Sequence, residues 1–150
     1  MKGIGRSDFG LLILRLGLGL AMVFFGSQKM FGLFGGMGYM QTVDMMHDKL
    51  AVPTVFAHLA ILGEFLGGLG VLVGLLTSIA SFGVACTMGV ATFISMKGPG
   101  VLMGIFSGAK GADPSKLFFP GVLCLAAVAL MIIGPGKISL DAKLFRQSKK

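Results

Sequence analysis

The hydrophobic positions of this chain form four long runs, separated by glycine, proline and charged residues. The runs cover about residues 9–30, 53–76, 79–96 and 117–133, here numbered TM1 to TM4. A helix needs about 20 mostly apolar residues to cross the hydrocarbon core of a bilayer. The pattern therefore predicts an all-α membrane protein, a bundle of four transmembrane helices.

The connections between the predicted helices differ in length and composition. Only Thr77 and Ser78 separate TM2 from TM3, which predicts a tight antiparallel hairpin. In the first loop, residues 31–52, apolar residues recur at helical spacing opposite charged ones, which predicts a short helix on the membrane surface. Those apolar residues are Met40, Val43, Met46 and Leu50. The third loop, residues 97–116, is glycine-rich and is expected to be mobile or partly re-entrant.

The composition agrees with a membrane protein. Of the 150 residues, 55% are hydrophobic and 13% are charged, whereas about a quarter of the residues of a soluble domain are charged. At this length we expect a single domain, residues 1–150. The net charge of +7 comes without the basic stripe that nucleic-acid-binding proteins present. The expected partner is therefore the lipid bilayer and not nucleic acid.

The basic residues predict the orientation in the membrane. After four crossings both termini lie on one side, which carries seven lysine and arginine residues against five in the opposite loops. Cytoplasmic loops are enriched in these residues, so both termini are expected to face the cytoplasm. The basic tail, residues 137–150, contributes most of the difference.

Arg15 and Glu64 are the ionisable residues within the predicted spans, and Lys29 lies at the outer end of TM1. Charges in a span are costly and usually face the bundle interior or a wet cavity. Helical side chains lean toward the N-terminus of their own helix, so those of Lys29 and Gln28 lean toward the depth of Glu64, whereas that of Arg15 leans away. The sequence predicts a polar pocket in the outer half, with Glu64 near Lys29 and Gln28, and Arg15 at the inner side of the same seam.

Purely structural roles for these residues stay open. Arg15 and Lys29 are long enough to extend to the headgroups, and Glu64 would also serve as a polar contact between helices. A stripe of small residues next to Glu64 predicts close helix packing, within one protomer or between two copies in a homo-oligomer. The stripe consists of Ala60, Gly63, Gly67, Gly70 and Gly74.

The two cysteines, Cys86 and Cys124, lie in different runs, at levels that differ by about 9 Å. That offset exceeds the Cα separation of a disulfide, so both are expected to be buried, unpaired thiols. No cysteine or histidine cluster has the spacing of a metal site. We recognise no metal, haem or flavin motif.

Three stretches of the sequence resemble the DoxX family of small bacterial four-helix membrane proteins. They are "LRLGLGLAMVFFGSQKMFGLFGG" (residues 14–36), "LAVPTVFAHLAILGEFLGGLGVLVGLLT" (residues 50–77) and "GPGKISLDA" (residues 134–142). The family pattern has an arginine early in the first helix, a Gly-x-x-Lys at its end, and a glutamate followed by paired glycines in the second. The matching residues are Arg15, Gly26, Lys29, Glu64, Gly67 and Gly68. Where many members have a histidine, this chain has Phe25.

The resemblance implies a role near respiratory redox chemistry in the bacterial inner membrane. The related DoxD proteins are the large subunit of a thiosulfate:quinone oxidoreductase, and other members are membrane partners of thiol or oxidative-stress complexes. The resulting hypothesis is a quinone-linked redox subunit in which Glu64 is the catalytic proton relay and Lys29, Gln28 and Arg15 form the binding site for a quinone. Electrons would come from a soluble or membrane-bound redox partner subunit.

Two other functions are compatible with the same residues. The chain would serve as a non-catalytic membrane anchor or assembly factor for a soluble redox enzyme, with the basic tail and the glycine-rich third loop as the docking surfaces. It would less readily form a small transporter or proton path, because one glutamate between two cations provides little polar lining for a pore.

Overall fold

The computed structural model describes residues 5–97 and 113–147, and these residues form helices without a strand. The helices are α1 (Arg6–Phe31), α2 (Tyr39–Leu50), α3 (Thr54–Val73), α4 (Thr77–Met96), α5 (Ser115–Ile133) and α6 (Leu140–Gln147), with a 3-10 turn at Leu33–Gly35. Four of them, α1, α3, α4 and α5, are long and apolar enough to cross a membrane. The four-helix membrane fold is therefore confirmed. The prediction of a mobile or re-entrant loop falls mostly on residues 98–112, outside the described residues.

The four long helices form a bundle in which α1 packs against α3, α3 against α4, and α4 against α5. Large apolar side chains such as Ile13, Leu125 and Ile132 are exposed on its outer faces, as lipid contact requires. The interior is filled by Leu18, Met22, Val71, Val84, Met88, Ala127 and Leu130. Because lipid is as apolar as this interior, close packing and polar contacts hold the helices together.

Glycines set the distance between α1 and α3. A Cβ built on Gly26 would lie 2.8 Å from the Cα of Phe65, and one built on Gly19 would lie 2.8 Å from the Cα of Leu72. Real Cβ atoms do not approach backbone this closely, so the two helix axes are as near as glycine allows. This contact places the end of α1 directly beside the middle of α3.

Three glycines of the small-residue stripe of α3, Gly63, Gly67 and Gly70, face α4, whereas Gly74 faces Arg15 and Ser139. A Cβ on Gly67 would lie 3.0 Å from Val84 Cγ2, and one on Gly70 would lie 2.8 Å from the Cβ of Ala80. The prediction of close packing is therefore confirmed for these two glycines, within one protomer. The helices are closest near their shared turn, which lies at the same end of the bundle as the start of α1.

The turn between α3 and α4 occupies residues 74–76, slightly before the predicted Thr77–Ser78. Gly74 has a φ of 74°, the left-handed conformation that commonly ends a helix, and Thr77 already begins α4. The hairpin itself is as tight as predicted. The predicted surface helix is α2, whose buried residues are Thr42 and Val43, whereas Met40 points outward.

Candidate functional site

An ion pair joins the end of α1 to the middle of α3. The Nζ atom of Lys29 lies 2.6 Å from each carboxylate oxygen of Glu64. The Glu64 side chain is 3% exposed and that of Lys29 is 32% exposed. The glycine contacts between α1 and α3 allow this approach, because a Cβ on Gly26 would collide with the backbone one residue beyond Glu64. The Glu64 side chain is thus nearly enclosed, while part of the Lys29 side chain lies at a free surface.

That surface belongs to a cavity of about 730 Å³ bounded by α2, α3, α4 and the end of α1. Its volume falls within the range of small-molecule sites. The helices α3 and α4 are in contact near Gly67, and Leu59 and Val90, which lie further from their turn, border the cavity. The residues Thr42, Met45 and Met46 of α2 border it as well. We refer to this space as the α3–α4 cavity.

The α3–α4 cavity opens toward the outer surface of the bundle. Its lining includes Leu59 of α3 and Phe82, Val90 and Phe93 of α4, and each of these side chains is more than half exposed. These residues lie within spans that are apolar enough to cross a membrane, so their exposed faces meet lipid. The cavity is therefore open on a face of the bundle that is apolar enough to contact lipid.

Cys86 also lines the α3–α4 cavity and is exposed, so the expectation that its thiol is buried is wrong. The reason is its position on α4: it is four residues from both Phe82 and Val90, on the face of the helix that points outward. Cys124 is half-buried, and its thiol donates to the carbonyl of Ala85 at 3.4 Å. Both cysteines are free, as predicted.

Gln28 and Arg15, the other two predicted site residues, do not reach the α3–α4 cavity. Gln28 is half-buried, and its backbone carbonyl accepts hydrogen bonds from the N–H groups of Gly32 and Gly38, both at 3.2 Å. The structure therefore brings Lys29 and Glu64 together at the cavity and places Gln28 in the framework of the adjoining loop.

Arg15 lies near the opposite end of the bundle and is 2% exposed. Its guanidinium donates to four backbone carbonyls, two at the end of α3 and two in the segment that follows α5. The acceptors are Val71 at 3.1 Å, Leu72 at 3.4 Å, Pro135 at 2.9 Å and Ile138 at 2.6 Å. Arg15 therefore does not extend to the headgroups, and it connects three parts of the chain through backbone groups.

Asp141 completes this arrangement, which we call the inner clasp (Arg15, Gly74, Ser139 and Asp141). Its carboxylate accepts from the N–H groups of Leu76 at 2.6 Å and Thr77 at 2.8 Å, at the start of α4. Its own N–H donates to the carbonyl of Gly74 at 2.8 Å. No role for Asp141 was predicted from the sequence, although the stretch "GPGKISLDA" that contains it is part of the family resemblance.

The helix α6 within the basic tail was also missed. Ser139 accepts a hydrogen bond from the N–H of Ala142 at 3.0 Å, which is the side-chain capping of a helix start. A serine before a short amphipathic stretch was the available signal. At the start of α1, Asp8 accepts from the backbone N–H of Lys137 at 3.0 Å, so the segment after α5 is held at several points.

Aromatic contacts account for Phe25 and His58. Phe25, at the position of the family histidine, packs edge-on against Phe119 of α5, with ring centroids 5.2 Å apart. His58 stacks on Tyr39 and lies 2.7 Å from its hydroxyl through Nδ1. Among the described residues no group of three or more histidine, cysteine or acidic side chains is arranged to hold a metal ion.

The family model for DoxX matches residues 10–97. This region runs from the first turns of α1 to the end of α4 and includes Arg15, Lys29 and Glu64. It stops short of residues 134–142, which contribute Ser139 and Asp141 to the inner clasp. No curated protein and no solved structure matches the chain.

Proposed function

Because the chain belongs to the DoxX family, we propose that it is the membrane subunit of a quinone-linked oxidoreductase of the thiosulfate or thiol type. The quinone site of this proposal is the α3–α4 cavity. The observation that supports it best is the position of the Lys29–Glu64 ion pair, which borders a cavity that opens toward lipid. Placing charged side chains inside a membrane span costs free energy, so an ion pair in such a place is a candidate functional site.

The residues of the cavity fit a quinone head. Apolar and aromatic side chains make up most of the lining, which suits a ring and an isoprenoid tail. The ammonium of Lys29 is placed to donate a hydrogen bond to a ring oxygen. A quinone bound there would take up two electrons and two protons, and the electrons would come from a partner subunit that oxidises thiosulfate or a thiol.

The ion pair would handle protons. Lys29 and Glu64 are in direct contact through Nζ and both carboxylate oxygens, so a proton can pass between them without an intervening group. In this proposal Lys29 faces the ring oxygen, and Glu64 acts as the proton relay behind it. Gln28 makes no direct contact with the ring, and Arg15 contributes only through the bundle that it holds together.

The location of the site follows from the proposed orientation. With both termini in the cytoplasm of a bacterial inner membrane, the α3–α4 cavity lies in the outer half of the bilayer. The inner clasp and α6 then lie at the cytoplasmic surface, where basic residues favour contact with anionic lipids.

Quinone retention tests the proposal. The protein is purified in lipid nanodiscs made from native membranes, extracted with solvent and assayed for quinone, together with Glu64→Gln and Lys29→Ala. We expect about one quinone per protein in the wild type and a loss of several-fold in both variants. Lys97→Ala is the control, because Lys97 also lines the cavity but lies above the ring of Phe93 at 4.8 Å, away from the ion pair. Quinone at the level of bulk lipid in all four proteins would refute the site.

The second function, an anchor for a soluble redox enzyme, is favoured by α6. Lys143 and Leu144 are exposed on this helix, while Asp141 holds its start to the bundle. Deletion of residues 143–150 spares the inner clasp and should abolish association with the soluble partner under this function. Partner binding that survives the deletion would rule out the tail as the docking surface.

A further inference from the structure

The Lys29–Glu64 pair carries no net charge, and both of its members line the α3–α4 cavity, with Lys29 the more exposed of the two. Lys29 is 32% exposed at the side chain and Glu64 is 3% exposed. An ammonium group has three N–H donors and no acceptor. Since two acceptor oxygens of Glu64 lie against it at 2.6 Å, one donor is left for a group in the cavity. The pair thus offers a hydrogen bond from a cation whose charge is already balanced.

We propose that this arrangement makes Glu64 a specificity-determining residue: the cavity selects a neutral amphiphile whose head accepts hydrogen bonds and rejects an anionic one. This inference rests on the proposed function, because it concerns the head group of the ligand in the same cavity. An anionic head next to Lys29 would also lie close to the Glu64 carboxylate, and one negative charge would stay uncompensated in an apolar surrounding, which is costly.

The other polar side chains of the cavity do not alter this balance near the ion pair. The hydroxyl of Thr42 donates to the carbonyl of Gly38 at 2.6 Å, and that of Thr87 donates to the carbonyl of Val84 at 3.0 Å. Of the charged residues that the structure describes in the lining, Lys97 is the only one besides the pair. It is exposed and lies over the Phe93 ring, so it would attract an anion to the rim of the cavity.

Native Cys86 provides a reporter of occupancy. It lines the cavity and is exposed, whereas the thiol of Cys124 is half-buried and bonded to a backbone carbonyl. In a Cys124→Ala background, Cys86 is the sole thiol of the chain. Its rate of alkylation by N-ethylmaleimide should fall when an amphiphile occupies the cavity.

The experiment compares two probes of similar tail length in nanodiscs, decylubiquinone and laurate, each titrated as a fraction of total lipid. We expect decylubiquinone to half-protect Cys86 at a concentration at least about tenfold lower than laurate. In Glu64→Gln the positive charge of Lys29 is no longer balanced. The ratio of the half-protecting concentrations of laurate and decylubiquinone should therefore shift in favour of laurate by about tenfold or more. A Cys86→Ala/Ser78→Cys variant, with its thiol at the α4 start, reports any effect of the probes on the bilayer itself.

The outcomes separate this inference from the proposed function. The selectivity would be overturned if laurate and decylubiquinone protected Cys86 of the wild type equally, or if the ratio of their half-protecting concentrations were unchanged in Glu64→Gln. In either case the cavity would remain a ligand site. Protection by neither probe would refute the proposed quinone site and this inference with it. Laurate protection that is weaker than that of decylubiquinone and disappears in Lys97→Met, with the quinone unaffected, would place the anion at the rim and support the selectivity at the ion pair.

Discussion

Two of the buried charged side chains, those of Glu64 and Arg15, are stabilised in different ways. Within the part of the chain that the structure describes, Glu64 pairs with one charged side chain, that of Lys29, and the pair borders a cavity. Arg15 is surrounded by backbone carbonyls at the ends of helices, where the carbonyls that lack helical partners carry partial negative charge. The first arrangement leaves a donor available for a ligand, whereas the second uses the guanidinium to satisfy the protein's own backbone.

Substitution of Arg15 should therefore affect stability more than ligand binding. Arg15→Ala removes the donor that the four carbonyls share, and a buried acceptor without a donor costs about 1–3 kcal/mol. We therefore expect the free energy of unfolding to fall by about 3 kcal/mol or more. Arg15→Lys should recover only part of this, because an ammonium lacks the planar fork of the guanidinium. Thermal unfolding in nanodiscs measures the effect.

The matched control is Arg6→Ala, since Arg6 is exposed in the first turn of α1 and should change stability little. If Arg15→Ala unfolded at the wild-type temperature and instead lost bound quinone, Arg15 would be a ligand-binding residue after all.

At the scale of the helices, glycine determines which pairs come close. The helix α1 contains glycines that face α3 and others that face open space, and the sequence pattern does not distinguish them. Gly19 faces the backbone of Leu72, whereas Gly17 has no atom within 4 Å of a built Cβ. The α1–α3 distance, and with it the contact between Lys29 and Glu64, depends on the glycines that face α3.

This difference predicts opposite effects of two alanine substitutions in one helix. Gly19→Ala would bring a methyl group to within 2.8 Å of the α3 backbone, so the helices must separate, at a cost of about 1–3 kcal/mol. Gly17→Ala should be neutral or slightly stabilising, because alanine favours helices over glycine by up to about 1 kcal/mol. Unfolding temperatures of the two variants side by side provide the comparison, and equal values would contradict the close approach of α1 and α3.

For the whole molecule, four crossings place both termini and the α3–α4 turn at one end of the bundle. Contacts of the described residues show that the start of α1, the segment after α5 and the start of α4 meet at one end, because Asp141 accepts from the N–H of Thr77 and Asp8 accepts from the N–H of Lys137. The α2 helix lies toward the opposite end, next to Lys29. The side of the membrane on which each end lies is predicted from the basic residues.

Thiol labelling tests this orientation. In a Cys86→Ala/Cys124→Ala background, Asp48→Cys on α2 should react with a membrane-impermeant maleimide in intact spheroplasts. Lys143→Cys on α6 should react only after the membrane is permeabilised. Both positions are exposed in the protein, so accessibility does not limit either reaction. The reverse pattern would show that the termini face outward and that the α3–α4 cavity lies in the inner half of the bilayer.

The sequence by itself determined the membrane fold of this protein, because runs of about 20 apolar residues can be satisfied only by spanning helices. It also indicated that Lys29 and Glu64 would meet, since side-chain lean and helical rise place both at similar depth. The positions of helix ends differed by a few residues, chiefly where a glycine in the left-handed conformation stopped α3 at Val73.

Only the tertiary structure decided what surrounds these residues. The α3–α4 cavity is bordered by α2, α3, α4 and the end of α1, and the placement of these helices relative to one another is not encoded in any one of them alone. The same holds for the inner clasp, in which Arg15 meets carbonyls more than 50 residues away in sequence. Backbone acceptors occur at every position, so a sequence cannot show which of them a buried arginine will find.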